Sequence, residues 1–130
     1  MTILIADDDR VLVHLLSSHL KARGFNVTVA FDAVQAWITA VRTPPAAVIL
    51  DINMPGGRGF EVLRKLKAFA KTSQVPVVVL SGSIDWQGAE TVRNLGAEEF
   101  LPKPVELDRL DRTLRRLLGH PVETLPESTS

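Results

Sequence analysis

Cysteine is absent from the sequence, which excludes disulfides, thiolate metal centres and thiol catalysis together. Aromatic residues are scarce as well, with no tyrosine, two tryptophans and five phenylalanines, so a hydrophobic share of 45% is reached mostly with aliphatic side chains. Neither sign of charge prevails: Lys+Arg and Asp+Glu number 15 each, and no global field draws the chain to nucleic acid or an anionic membrane. No run approaches the roughly 20 consecutive apolar residues that span a bilayer. The segment Met1-Thr2-Ile3-Leu4-Ile5 lacks the basic stretch and cleavage site of a secretory signal. A soluble, cytoplasmic protein is the expectation, and 130 residues suffice for one continuous core.

Three short runs, Ile3 to Ala6, Ala46 to Ile52 and Val75 to Leu80, are rich in Val and Ile and apolar on both faces rather than alternating. Such runs fit strands buried on both faces, as in a parallel sheet covered by helices. Asn26 to Phe31 and Glu99 to Leu101 are weaker strand candidates. Helical periodicity fills the intervals. Leu12, Leu15, Leu16 and Leu20 recur three and four apart before Gly24, a natural stop. Asp32 can cap a helix bearing Val34, Trp37, Ile38 and Val41, which ends before Pro44-Pro45. Phe60, Val62, Leu63, Leu66 and Phe69 mark a third helix, and a fourth runs from about Trp86 to Leu95. Leu107, Leu110, Leu114 and Leu117 form the clearest stripe, a fifth. Strand and helix thus alternate five times, the pattern of a doubly wound α/β sheet. Residues 119–130 read as a flexible tail or the start of a linker.

In open α/β sheets, ligands sit outside the carboxyl ends of the strands. The first strand runs into Asp7-Asp8-Asp9, the third into Asp51 and Asn53, the fourth into Ser81-Gly82, and the fifth into Lys103-Pro104. Each piece has an ordinary structural explanation: aspartates cap helices, Ser-Gly makes loops, and a lysine between prolines is often solvated. Their joint occurrence at four strand ends is the signal. Three converging carboxylates need a cation among them, and hard oxygen ligands without His or Cys point to Mg²⁺. A carboxylate nucleophile, a divalent cation, a hydroxyl and an ammonium group are the parts of phosphoryl transfer to aspartate.

Together the segments Ile3-Leu4-Ile5-Ala6-Asp7-Asp8-Asp9, Leu50-Asp51-Ile52-Asn53-Met54-Pro55, Leu80-Ser81-Gly82 and Phe100-Leu101-Pro102-Lys103-Pro104 resemble the response-regulator receiver domains of two-component signalling. The resemblance covers about residues 2 to 118, so a receiver domain over 1–118 is expected. It implies a CheY-like, flavodoxin-like sheet of five parallel strands in the order 2-1-3-4-5, with five helices. It implies a phosphorylation site at Asp51 and Mg²⁺ held by Asp7, Asp8, Asp51 and the backbone carbonyl of Asn53. Asp8 would bind the ion directly and Asp7 largely through water. Ser81 would hydrogen-bond a phosphoryl oxygen, and Lys103 would pair with Asp51 or its phosphate. The Lys103-Pro104 bond would be cis. Phe100 takes the place of the switch aromatic, whose ring moves between outward and inward positions.

The partners so implied are a sensor histidine kinase or histidine phosphotransfer protein, and a downstream target or linked output domain reading the fourth helix, fifth strand and fifth helix. A phosphorylation-linked homodimer could use the same surface, with charges offered by Asp108, Arg109, Asp111, Arg112, Arg115 and Arg116, although a solvated helix face explains them equally well. Beyond weak self-phosphorylation and autodephosphorylation no enzyme activity is expected, nor direct contact with nucleic acid or membrane. The loop Gly56-Gly57-Arg58-Gly59 departs from the family by lacking an acidic residue before its last glycine, and Arg58 brings positive charge near the pocket. Asp85 and Trp86 lie where partners could touch, and Trp37 reads as core. His14 and His19, five apart on one helix, do not share a face; with His120 they are assigned surface or packing roles.

Other functions fit less well. A haloacid-dehalogenase-type phosphohydrolase needs an acid two residues after its nucleophile, where this chain has Asn53. A flavodoxin-like electron carrier needs a phosphate-cradling loop after the first strand, where this chain has three aspartates. A degenerate receiver acting as a scaffold is the remaining alternative, and the chain is either a stand-alone receiver or a piece of a longer regulator.

Overall fold

Strand and helix alternate along the chain as β1 (Thr2–Ala6), α1 (Arg10–Ala22), β2 (Asn26–Ala30), α2 (Ala33–Arg42), β3 (Ala47–Asp51), α3 (Arg58–Ala68), β4 (Val77–Ser81), α4 (Trp86–Asn94), β5 (Glu99–Pro102) and α5 (Leu107–Leu118). The computed structural model describes residues 1–55, 58–83 and 86–119. All pairings are parallel, and the order is β2-β1-β3-β4-β5, as expected from the sequence.

The central strands β3 and β4 are buried at every residue, and β1 at all but its first. Helices on both faces therefore have to cover them, and the core divides into two layers. Successive strand residues point to opposite layers. Leu4, Leu50 and Val79 pack with Ala36, Ala40, Leu63, Leu66 and Val92 from α2, α3 and α4. Ile3, Ile5 and Ile49 pack with Leu16, Leu20, Leu110 and Leu114 from α1 and α5. Helix starts are fixed by side chains: Asp9 accepts from the Val11 and Leu12 amides, and Asp32 from the Gln35 amide. Gly24 and Gly96 close the turns after α1 and α4 with φ of 94° and 106°, a region that favours glycine.

Two helical stripes differ from expectation. On α1 the buried residues are Val13, Leu16 and Leu20, while Leu15 is 50% exposed. On α2, Ala36 and Ala40 face the sheet, while Val34 and Ile38 are exposed. Small residues let α2 lie close to the strands, and Trp37 packs on the flank, edge-on to Phe69 at 5.7 Å. Sequence spacing gives a broad apolar arc but not which side of it meets the sheet.

The charges of α5 are not all solvated either. Asp111 is buried and receives His19 Nε2 at 2.8 Å and Arg23 Nε at 3.3 Å, both from the α1 side. His19 thus has a packing role, but with a carboxylate from a distant element. The sequence expectations attached to Gly56, Gly57, Asp85, His120, the tail beyond Gly119 and the Trp86 side chain lie outside the described residues.

Truncation should separate the two leucines of α1. Leu16→Ala is expected to cost about 2–5 kcal/mol and Leu15→Ala less than about 1 kcal/mol, as read from urea unfolding.

Candidate functional site

A parallel sheet delivers all its carboxyl ends to one edge, so five separate loops meet there. β1 leads into Asp7 and Asp8, β3 ends on Asp51, β4 ends on Ser81, and the loop after β5 carries Lys103. The backbone locks these loops to one another: Asp7 N–H donates to the Ala30 carbonyl, Ile52 N–H to Leu80, and Lys103 N–H to Ser81. The Lys103-Pro104 bond is cis, as expected.

Carboxylate oxygens of Asp7, Asp8 and Asp51 lie within 4.8 Å of one another. Asp7 and Asp51 are buried and Asp8 is exposed. Lys103 Nζ stands 3.0 Å from Asp7 Oδ2 and 3.6 Å from Asp51 Oδ2, so one cation faces two buried anions. Asp7 Oδ1 is occupied by the Asp9 amide at 2.9 Å, and Asp51 Oδ1 by the Asn53 amide at 2.9 Å. Asp7 Oδ2, although close to the ammonium, has no aligned hydrogen-bond donor among the described residues. A buried carboxylate oxygen without a donor is costly unless a further positive or polar group reaches it. The donor set fits a hard divalent cation: three carboxylates, one open to solvent, with no nitrogen or sulfur ligand.

Burial pushes the Asp51 carboxyl above its ordinary value, and the nearby Asp7 charge adds to this, against the opposing Asn53 amide and Lys103 ammonium. Burial alone would lower Lys103, but the close contact with Asp7 and the charges of Asp7 and Asp51 outweigh it, holding the lysine above its ordinary value. Lys103 therefore stays an ammonium at neutral pH.

Ser81 Oγ donates to Asn53 Oδ1 and accepts from the Ser83 amide at 3.2 Å. The contact between the Ser81 and Asn53 side chains was missed from the sequence, where only the Asn53 carbonyl was assigned a role. A polar residue two places after a strand-end aspartate was the available signal. Phe100 is partly buried against the α2–α3–α4 layer. Arg58 is exposed and joins Asp8, Phe31, Met54 and Pro55 around a cavity of about 500 Å³, which puts positive charge beside the acidic cluster as expected. Gly59 has a steric reason: a Cβ there would stand 2.5 Å from the Ile52 carbonyl oxygen and 2.6 Å from that of Asp51. The first turn of α3 is thus pressed onto the backbone that carries Asp51.

Residues 3–115 match the family described as the response regulator receiver domain. The transcriptional regulatory protein TctD of Salmonella typhimurium is 39% identical over 118 residues, covering 91% of this chain and 52% of TctD. The response regulator PleD of Caulobacter vibrioides is 39% identical over 106 residues, 80% of this chain and 23% of PleD. Among solved structures, the receiver domain of NtrX from Brucella abortus superposes with a TM-score of 0.82 at 32% identity, over 90% of this chain and 98% of that one. The chemotaxis protein CheY4 of Vibrio cholerae gives a TM-score of 0.84 at 26% identity, over 90% and 98%. The chain belongs to the response regulator receiver domain family. It spans about half the length of TctD and under a quarter of PleD.

Two outcomes follow from the geometry. Because Asp51 binds its proton more tightly when folded, its ionisation lowers stability as pH rises from the ordinary carboxylate value through the folded one. Without divalent cations, Asp51→Asn should melt higher than the native chain at pH 7, and the gap should close towards about pH 4. Mg²⁺ should raise the melting temperature of the native chain more than that of the variant. Separately, Gly59→Ala should cost about 1–3 kcal/mol by overpacking and perturb the Asp51 amide resonance in NMR spectra.

Proposed function

We propose that the chain is a phosphoacceptor switch in which Asp51 takes a phosphoryl group from a phosphohistidine. A carboxylate oxygen of Asp51 attacks phosphorus, the P–N bond breaks, and its electron pair leaves with the donor imidazole. An acyl phosphate remains on Asp51. The observation that carries this reading is the cluster itself: three carboxylates within 4.8 Å, two of them buried, facing Lys103 at one edge of a parallel sheet.

Asp7, Asp8, Asp51 and the Asn53 carbonyl would hold Mg²⁺, with Asp7 acting largely through water. Bound there, the ion neutralises charge on the phosphoryl oxygens. Lys103 balances the remaining anionic charge and orients the acceptor. Ser81 exchanges its bond to Asn53 for one to a phosphoryl oxygen, and the loop after β4 moves with it. The Phe100 ring then turns inward, and the surface of α4, β5 and α5 changes for a downstream target or linked output domain. This is a population shift, biased by contacts that only the phosphorylated state makes.

The donor is a sensor histidine kinase or a histidine phosphotransfer protein in the cytoplasm. The chain does not itself turn over a substrate beyond slow self-phosphorylation and autodephosphorylation, and touches neither nucleic acid nor membrane directly. Family membership supports this assignment. Arg112 and Arg115 are exposed on α5 and available to a second copy in a phosphorylated dimer.

Incubation with acetyl phosphate and Mg²⁺ should give one phosphoryl adduct by intact-mass spectrometry. The adduct should be labile to hydroxylamine, absent without the metal and absent in Asp51→Asn. A chain that stays unmodified, and whose spectrum does not respond to beryllofluoride, would instead be a scaffold that never receives phosphate.

A further inference from the structure

The lateral edge of the sheet at β2 carries a second surface, lined by residues other than those of the acidic cluster. Among the described residues β2 is the terminal strand and pairs only with β1. The Asn26 amide donates to the Met1 carbonyl, and the Ala30 carbonyl accepts from the Asp7 amide. Both residues therefore face β1. In a parallel ladder alternate residues turn their N–H and C=O groups to opposite sides. Val27 and Val29 consequently aim theirs outward, where no other described strand pairs with them. Val29 is 39% exposed, unusual for a strand valine next to a core. An open, apolar strand edge is a template for another strand.

The ground beside that edge is basic. Val27, Val29 and Phe31 form one wall of a groove of about 370 Å³, and Arg10, His14 and Lys21 of α1 stand along the other. These three helix residues are four and seven apart, on one face. The Arg10 guanidinium lies 4.0 Å above the Phe31 ring, which fixes it at the mouth of the groove. Residues 10–31 hold Arg10, Lys21, Arg23 and two histidines, and not one aspartate or glutamate. In a chain of zero net charge this is a marked local excess. Arg23 is engaged by Asp111, while Arg10, His14 and Lys21 are exposed.

We propose that this edge accepts an extended acidic segment of a partner protein as a sixth strand beside β2. Its backbone would pair with Val27 and Val29, small apolar side chains would lie over the valines, and its carboxylates would face α1. Arg10 and Lys21 are about 16 Å apart along the helix axis, a distance a strand covers in about five residues. Acidic residues four positions apart, pointing to one face, come within reach of both flexible cations. A second copy of this chain fits poorly, because it would bring the same positive charge. Nucleic acid fits poorly too, because the floor is aliphatic and Arg10 covers the Phe31 ring.

A fluorescein-labelled peptide repeating Glu-Ser-Val-Ser, which sets glutamates four positions apart with valines between them on one face, serves as the probe, with a lysine-for-glutamate counterpart and an oligothymidylate as controls. Anisotropy and amide hydrogen exchange on the full chain read the result. The acidic peptide should bind and slow exchange of the Val27 and Val29 amides at least tenfold. The lysine peptide should not bind, and Lys21→Glu, which is exposed and should not alter melting, should weaken binding at least tenfold. Val29→Pro, which removes one outward donor, should do the same if its melting curve shows a folded chain. Absence of binding at millimolar peptide, or binding without protection of Val27 and Val29, would overturn the proposal. Oligothymidylate binding of equal strength would overturn it in favour of a general polyanion surface.

Discussion

Two buried aspartates facing one lysine are the constraint on which the rest of this structure depends. Asp7 follows β1, Asp51 is the last residue of β3, and Lys103 follows β5. Removing such charges from water is expensive, and mutual compensation works only if the three groups are held within a few ångströms. The parallel sheet does the holding. Its register brings Ala6 beside Leu50, and Ser81 beside Pro102, so that the residues following each strand emerge next to one another. Burial on both faces, which the apolar runs require, leaves the carboxyl edge as the place where polar chemistry can reach solvent.

The same architecture explains why so many small contacts serve the site. Asn53 and Asp9 each give an amide to a site carboxylate, Gly59 lets α3 press on the Asp51 backbone, and Asp9 doubles as the cap of α1. Neither Asp9 nor Gly59 needs to touch a ligand, and the Asn53 amide acts through Asp51. Each limits where a carboxylate oxygen can be, and preorganisation of that kind is what electrostatic stabilisation of a transferring group depends on.

Much of this was legible in the sequence because two of the signals are local. Runs such as Val77 to Leu80, apolar on both faces, announce a covered parallel strand, and polar residues at the ends of such runs announce the edge where ligands bind. Asp7, Asp8, Asp51, Ser81 and Lys103 were all singled out that way, and the structure brings Asp7, Asp8, Asp51 and Lys103 together. What stayed hidden depends on distant or three-dimensional relations. Leu15 and Val13 are equally apolar, and only the seating of α1 on the sheet decides which is buried. The pairing of His19 with Asp111 joins residues 92 apart, beyond any spacing rule. The side chain of Asn53 reaches Ser81 across two loops, 28 residues apart in sequence.

That last contact changes how the resting protein should be pictured. The hydroxyl of Ser81 is not idle but already satisfied by Asn53. In the proposed switch the activated arrangement would gain only the difference between that bond and a charge-assisted one to a phosphoryl oxygen. In that proposed switch, exchanging the side chain at position 53 would change the bond Ser81 gives up while leaving Asp51 in place, so sensitivity and chemistry could be adjusted independently of one another.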